Sequence, residues 1–184
     1  MKFVPQVIPD IILIEPTLHG DDRGYFSETF RQDLFNEAIG RDINFIQDNE
    51  SKSSKGVLRG LHYQVPPFSQ SKLLKVIEGS VLDVVVDIRK SSPTFGQHLA
   101  IELSVDNKYQ LFVPKGFAHG FVVLSDVATF TYKVDSYYAP EHERGIAFND
   151  QNLKINWQLK PEFFKLASKD LNHPNFANAQ DLFD

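Results

Sequence analysis

A histidine, a lysine and a tyrosine stand in three segments of this sequence that otherwise read as apolar strands: His62 in VLRGLHYQ, Lys72 before LLKVIE, and Tyr132 in ATFTYKV. Imidazole takes up and releases protons near neutral pH, and a phenol can deliver a proton. A fixed ammonium can hold a negative oxygen. Around one pocket, these groups suit proton transfer at a carbon next to a carbonyl. Each also has a plainer reading. His62 can be a satisfied structural histidine, Lys72 can carry its amine out to a rim, and Tyr132 can be a core aromatic with a hydrogen-bonded hydroxyl. Asp83 and Asp87 interrupt the strand-like SVLDVVVDI on one face. Buried acids need partners, and His119 and Arg89 are the candidates.

The spacing narrows the choice. In GVLRGLHYQVPPFSQSKLLKVIEG, Gly56 is followed by five residues and His62, and Lys72 stands six residues before Gly79. Metal-binding barrels of the cupin type carry a similar frame, with His-x-His and then Glu between the two glycines. Here Gln64 occupies the second histidine position and Lys72 the acidic one. Divalent metals prefer imidazole and carboxylate ligands, and an ammonium repels them. The frame remains while its ligand chemistry has been replaced, so no metal is expected. Pro114-x-Gly116-x-x-His119 matches the second half of the same pattern and would bring His119 near His62, although Val123 stands where Asn is expected. Strand alternation puts Arg59 and His62 on opposite faces. A bulge at Gly60 would turn both inward.

The elements that must position these residues are mostly short strands. Ile11–Glu15, Tyr25–Phe30, Asn44–Asn49, Ser80–Ile88, His98–Val105, Gln110–Val113, Gly120–Leu124 and Ala128–Val134 are separated by Gly, Pro, Asn or Asp turns, which reads as an all-β sandwich or barrel. SKSSKG reads as a polar turn. One helix is expected at Gln32–Ile39, with Leu34, Phe35, Ala38 and Ile39 on one stripe and Gly40 ending it. The tail from about Trp157 reads as less regular, with short helical turns near Pro161 and Asn175–Phe183. We expect one domain over residues 1–184, with this tail covering an end of the barrel.

Bulk composition restricts the function classes. A net charge of −5 with no basic run argues against nucleic acid as a partner. The chain lacks cysteine, which removes thiolate nucleophiles and Cys-type zinc sites and is compatible with the cytoplasm. The apolar run at Ile11–Ile14 is too short for a signal peptide or a membrane span. No G-x-G-x-x-G is present, and no redox cofactor site is visible.

Taken together, RGYFSE, FIQDN, VLRGLHYQ, VDIRKSSPTFG, VPKGFAHGF and YKVDSYYAPEHE resemble the dTDP-4-dehydrorhamnose 3,5-epimerases, over about Ile11 to Asp170. The resemblance implies a metal-free cupin jelly roll with a few short helices, a homodimer that exchanges strands or N-terminal segments, and dTDP-4-dehydro-6-deoxy-D-glucose as substrate. By the same resemblance, His62 looks like the general base paired with Asp170, Lys72 the group opposite the C4 oxygen, and Tyr132 the acid on the other face of the ring. Arg23, Arg59 and Lys169 are similar to diphosphate contacts. Phe26, Glu28, Gln47, Asp48, Asn49 and Tyr138 are similar to nucleoside contacts, and Glu143 and His119 to further substrate contacts. Two alternatives stay open: a single-centre epimerase of another deoxysugar, and a non-catalytic or metal-binding cupin.

Overall fold

The computed structural model describes residues 1–184. In chain order its elements are β1 (Lys2–Pro5), β2 (Ile12–Glu15), β3 (His19–Asp21), β4 (Gly24–Phe26), α1 (Gln32–Ile39), β5 (Gln47–Ser54), β6 (Leu58–Gln64), β7 (Lys72–Glu78), β8 (Ser80–Asp87), β9 (His98–Ser104), β10 (Gln110–Val113), β11 (Phe117–Val123), β12 (Val127–Val134) and β13 (Glu143–Gly145). One sheet runs β1-β2-β10-β7-β12-β5 and the other β13-β6-β11-β8-β9, while β3 and β4 form a separate hairpin. Every pairing within the sheets is antiparallel. This is the expected all-β jelly roll. No helix is long and apolar enough to cross a membrane.

Period-2 burial builds the core. Leu74, Val76 and Phe130 of the first sheet meet Val81, Val85 and Phe121 of the second. Side chains of opposite parity on the second sheet, including Leu82, Val84, Val86 and Val122, point outward and would face water if left bare. The tail covers them: Trp157 and Leu153 are buried there, and Phe164, Leu166, Phe176 and Phe183 pack alongside. The indole N–H of Trp157 donates to the Phe148 carbonyl at 2.8 Å, which satisfies its one polar atom. The tail holds two single 3-10 turns, Pro161–Phe163 and Phe176–Asn178. Its Lys165–Asp170 stretch borders the main cavity.

The helix matches its expected bounds. Gly40 adopts φ +67° and closes it by donating its N–H to the Asn36 carbonyl. Phe35 anchors α1 on the outer face of the first sheet, edge-on to Phe112 with ring centroids 5.2 Å apart. Four strand expectations need correction, two of them at the start of a strand: β5 begins at Gln47 instead of Asn44, and β11 at Phe117 instead of Gly120. The segment after Gly24 leaves β structure at Phe26 instead of running to Phe30. SKSS is no turn: β5 continues to Ser54, paired with β12 from Gln47↔Val134 to Ser54↔Val127. At a sheet edge half the side chains meet water, so a strand there tolerates a polar run that reads as a loop in sequence.

Candidate active site

His62 and Tyr132 come from opposite sheets and line the same space. A cavity of about 480 Å³ is bordered by His62 and Arg59 of β6, Gln47 and Asn49 of β5, Tyr132 of β12, Tyr138 and Glu143, and Lys169 and Asp170 of the tail. A deeper recess of about 120 Å³ continues from it, bordered by Arg59, His62, Tyr132, Lys72, His119 and Ser51. The bulge expected at Gly60 is present. The β6–β11 register shifts between His119↔His62 and Phe121↔Arg59. Gly60 has φ +127°, and a Cβ there would lie 2.5 Å from the Gly120 Cα. Only glycine suits that backbone and that approach. The outcome is that Arg59 and His62 border the same cavity.

The floor of the site is a set of imidazole–carboxylate pairs. His62 Nε2 lies 2.6 Å from Asp170 Oδ1, and the carboxylate is only 2% exposed. Burial pushes the Asp170 carboxyl up, but the His62 hydrogen bond together with the His62, His173 and Lys169 charges outweighs it and holds the group below its ordinary range. His119 Nε2 lies 2.8 Å from Asp83 Oδ2. Burial lowers the His119 imidazole despite that carboxylate, which favours the neutral ring. Asp83 thus has the partner expected from sequence. Asp87 has its own in Arg89, at 2.7 Å.

Lys72 faces the recess, and burial pushes its amine down to about 8, with the Asp83 and Glu143 charges opposing. An ammonium near its titration point, with little water around it, interacts strongly with a developing oxyanion. Burial pushes the Tyr132 phenol up, so its proton stays on through neutral pH. At the rim, Lys169 Nζ donates to Glu143 Oε2 at 2.8 Å and the Tyr138 hydroxyl donates to the same oxygen at 3.2 Å. That links three of the expected substrate contacts.

Four expected contacts lie elsewhere. Alternation along β5 turns Asp48 away from Gln47 and Asn49, and its carboxylate takes Lys133 Nζ at 3.0 Å. Arg23, Phe26 and Glu28 sit in or just after the β3–β4 hairpin and do not border the cavity of their own chain. Asp21 binds the Arg23 guanidinium, and Phe26 is 70% exposed. Conversely, Ser51, Gln70 and Lys165 border the cavities without having been singled out. Ser51 shares the β5 face of Gln47 and Asn49, so period 2 would have found it had SKSS been read as strand.

A relative from Shigella flexneri, a dTDP-4-dehydrorhamnose 3,5-epimerase, is 50% identical over 179 residues, covering 97% of this chain and 98% of its own. The dTDP-4-dehydrorhamnose 3,5-epimerase family model matches residues 5–178. The chain belongs to that family. It is therefore a member of an isomerase family, with the cupin-like β fold described above. The crystal structure of the epimerase from Elizabethkingia anophelis NUHP1 is 48% identical and superposes with a TM-score of 0.94, covering 97% of each chain. The Legionella pneumophila Philadelphia 1 structure, in complex with dTDP-4-keto-L-rhamnose, is 46% identical with a TM-score of 0.92, covering 96% of this chain and 93% of its own.

Proposed function

We propose that this epimerase inverts C3 and C5 of dTDP-4-dehydro-6-deoxy-D-glucose to give dTDP-4-dehydro-L-rhamnose, as a cytoplasmic homodimer. The observation that carries the mechanism is that His62 and Tyr132 face one cavity from opposite sheets. The C4 ketone acidifies the C–H bonds on either side of it. His62 takes a proton from one of these carbons, and the electron pair moves to the C4 oxygen. Asp170 stabilises the resulting imidazolium. The Lys72 ammonium holds the enolate oxygen. Tyr132 then returns a proton to the other face of the carbon, which inverts it. The imidazolium and the phenolate regain their resting protonation from solvent, so the cycle is redox-neutral. A second round at the other carbon follows after the ring changes pucker.

Around this centre, Arg59 and Lys169 are the in-chain cations for the diphosphate. Gln47, Asn49 and Tyr138 receive the nucleoside, and Glu143 and His119 line the sugar. The hairpin with Arg23, Phe26 and Glu28 reads best as a contribution to the cavity of a second copy, since it stands exposed and away from its own. The test is incubation with the 4-keto nucleotide sugar in D₂O, followed by NMR. Deuterium at both C3 and C5 with L-rhamno stereochemistry supports the double reaction. Label at one carbon alone rules it out and leaves a single-centre epimerase.

A further inference from the structure

Resting on the epimerase reading, we infer that His173 is a positioning residue that shares the Asp170 carboxylate with His62 and so keeps His62 unprotonated and ready to act as a base. His173 Nε2 lies 3.4 Å from Asp170 Oδ1, the same oxygen that takes His62 Nε2 at 2.6 Å. That nitrogen is buried and makes no hydrogen bond, so its contact with the carboxylate is one of charge and ring placement. The two imidazoles meet edge-on, with ring centroids 5.5 Å apart. The fold makes room for this arrangement. Gly145 pairs with His62 in the β13–β6 register, and a side chain at Gly145 would overlap the His173 ring. The missing Cβ forms the slot in which His173 sits over the carboxylate.

The consequence follows from charge. A buried carboxylate 2.6 Å from a single imidazole pulls that imidazole toward its protonated form, and a protonated base cannot abstract a proton. A second imidazole placed against the same oxygen competes for its charge. When His173 is itself charged, it repels a second positive charge on His62. The ionisable groups that face His173 are His62 from β6, Glu143 from β13 and Asp170 from its own segment, and Lys169 is paired to Glu143 beside them. Burial and the His62 charge both favour neutral His173.

Three variants test this in the full-length enzyme. His173→Leu removes the ring, His173→Gln keeps a neutral donor, and Gly145→Ala pushes the ring from its slot. Histidine side-chain NMR titrations of the free protein should show His62 moving up by roughly one pH unit in the Leu variant and less in the Gln variant. The acid limb of kcat/KM should move up with it. On the acid side of the parent's limb this is a loss of up to roughly tenfold in kcat/KM, with KM unchanged. Gly145→Ala should behave like the Leu variant. An unchanged His62 titration and acid limb in all three would overturn the inference, as would a loss that only tracks melting temperature. Because the NMR titration needs no turnover, failure of this role is distinguishable from failure of the epimerase reading, which shows as no exchange in the parent enzyme.

Discussion

The cavity floor and the β3–β4 hairpin are built on opposite principles. On the floor, His62–Asp170 and His119–Asp83 are internal pairs held by two sheets, and each carboxylate is at most 2% exposed. The hairpin is three residues paired with three, all exposed, and its arginine is spent on an aspartate two positions away. Proton transfer needs donors and acceptors placed to within tenths of an ångström, which a packed interior supplies. Holding a charged nucleotide demands less exact placement, and an exposed hairpin is compatible with that looser task. One region should therefore govern kcat, and the other should govern KM and depend on assembly.

The largest effect expected of that division is on the floor. His62→Ala and Tyr132→Phe should each lower kcat by about 10²–10⁴ with little change in melting temperature, as measured by initial rates and thermal melts. Lys72→Met should follow at about 10² in kcat, the loss typical of one oxyanion donor. The same lysine should set the alkaline limb. Its amine titrates at about 8, so kcat/KM should fall above that pH as the ammonium is lost. Lys72→Arg, which keeps its charge, should lack this limb. The raised Tyr132 phenol stays protonated over the same interval and does not produce it.

The hairpin comes next. Arg23→Ala should raise KM about tenfold, the worth of one charged hydrogen bond, and leave kcat near the parent value. Mixing Arg23→Ala with His62→Ala chains should restore some intact sites if the hairpin serves its neighbour. A mixture no better than the average of the two would break the comparison. The smallest effect on activity should come from a network outside both regions. Burial would raise the Asp87 carboxyl, yet hydrogen bonds from Arg89, Ser92 and Thr94 hold it at about 2, against an ordinary 3.8. The unfolded chain thus binds more protons in that interval, and stability should decline as pH falls from about 4 toward 2. Asp87→Asn should cost about 3 kcal/mol in denaturant unfolding and flatten that decline, with turnover at neutral pH unchanged.

Period-2 patterning made the sheets, His62, Tyr132 and Lys72 legible, because a polar residue in an apolar strand is conspicuous. The Gly60 bulge was legible for the same reason: alternation failed to bring Arg59 and His62 together without it. Asp48 was grouped with Gln47 and Asn49 by motif, whereas alternation turns it to the other face of the strand, toward Lys133. Ser51 was hidden because a polar edge strand and a polar loop have the same composition. The hairpin's position was not legible, since its exposed residues carry no buried face from which a place could be read. The tail's contact with the outer sheet face depends on scattered aromatics such as Trp157 and Phe164, which have no period to read.

Inversion at this site requires base and acid acting from opposite faces of the sugar. Solvent deuterium exchange in the two variants separates them. Tyr132→Phe should still wash deuterium into the substrate with retained configuration, because His62 can remove and return a proton on one face. His62→Ala should exchange nothing at that carbon. Exchange persisting without His62, or inversion at the parent rate without the Tyr132 hydroxyl, would contradict it.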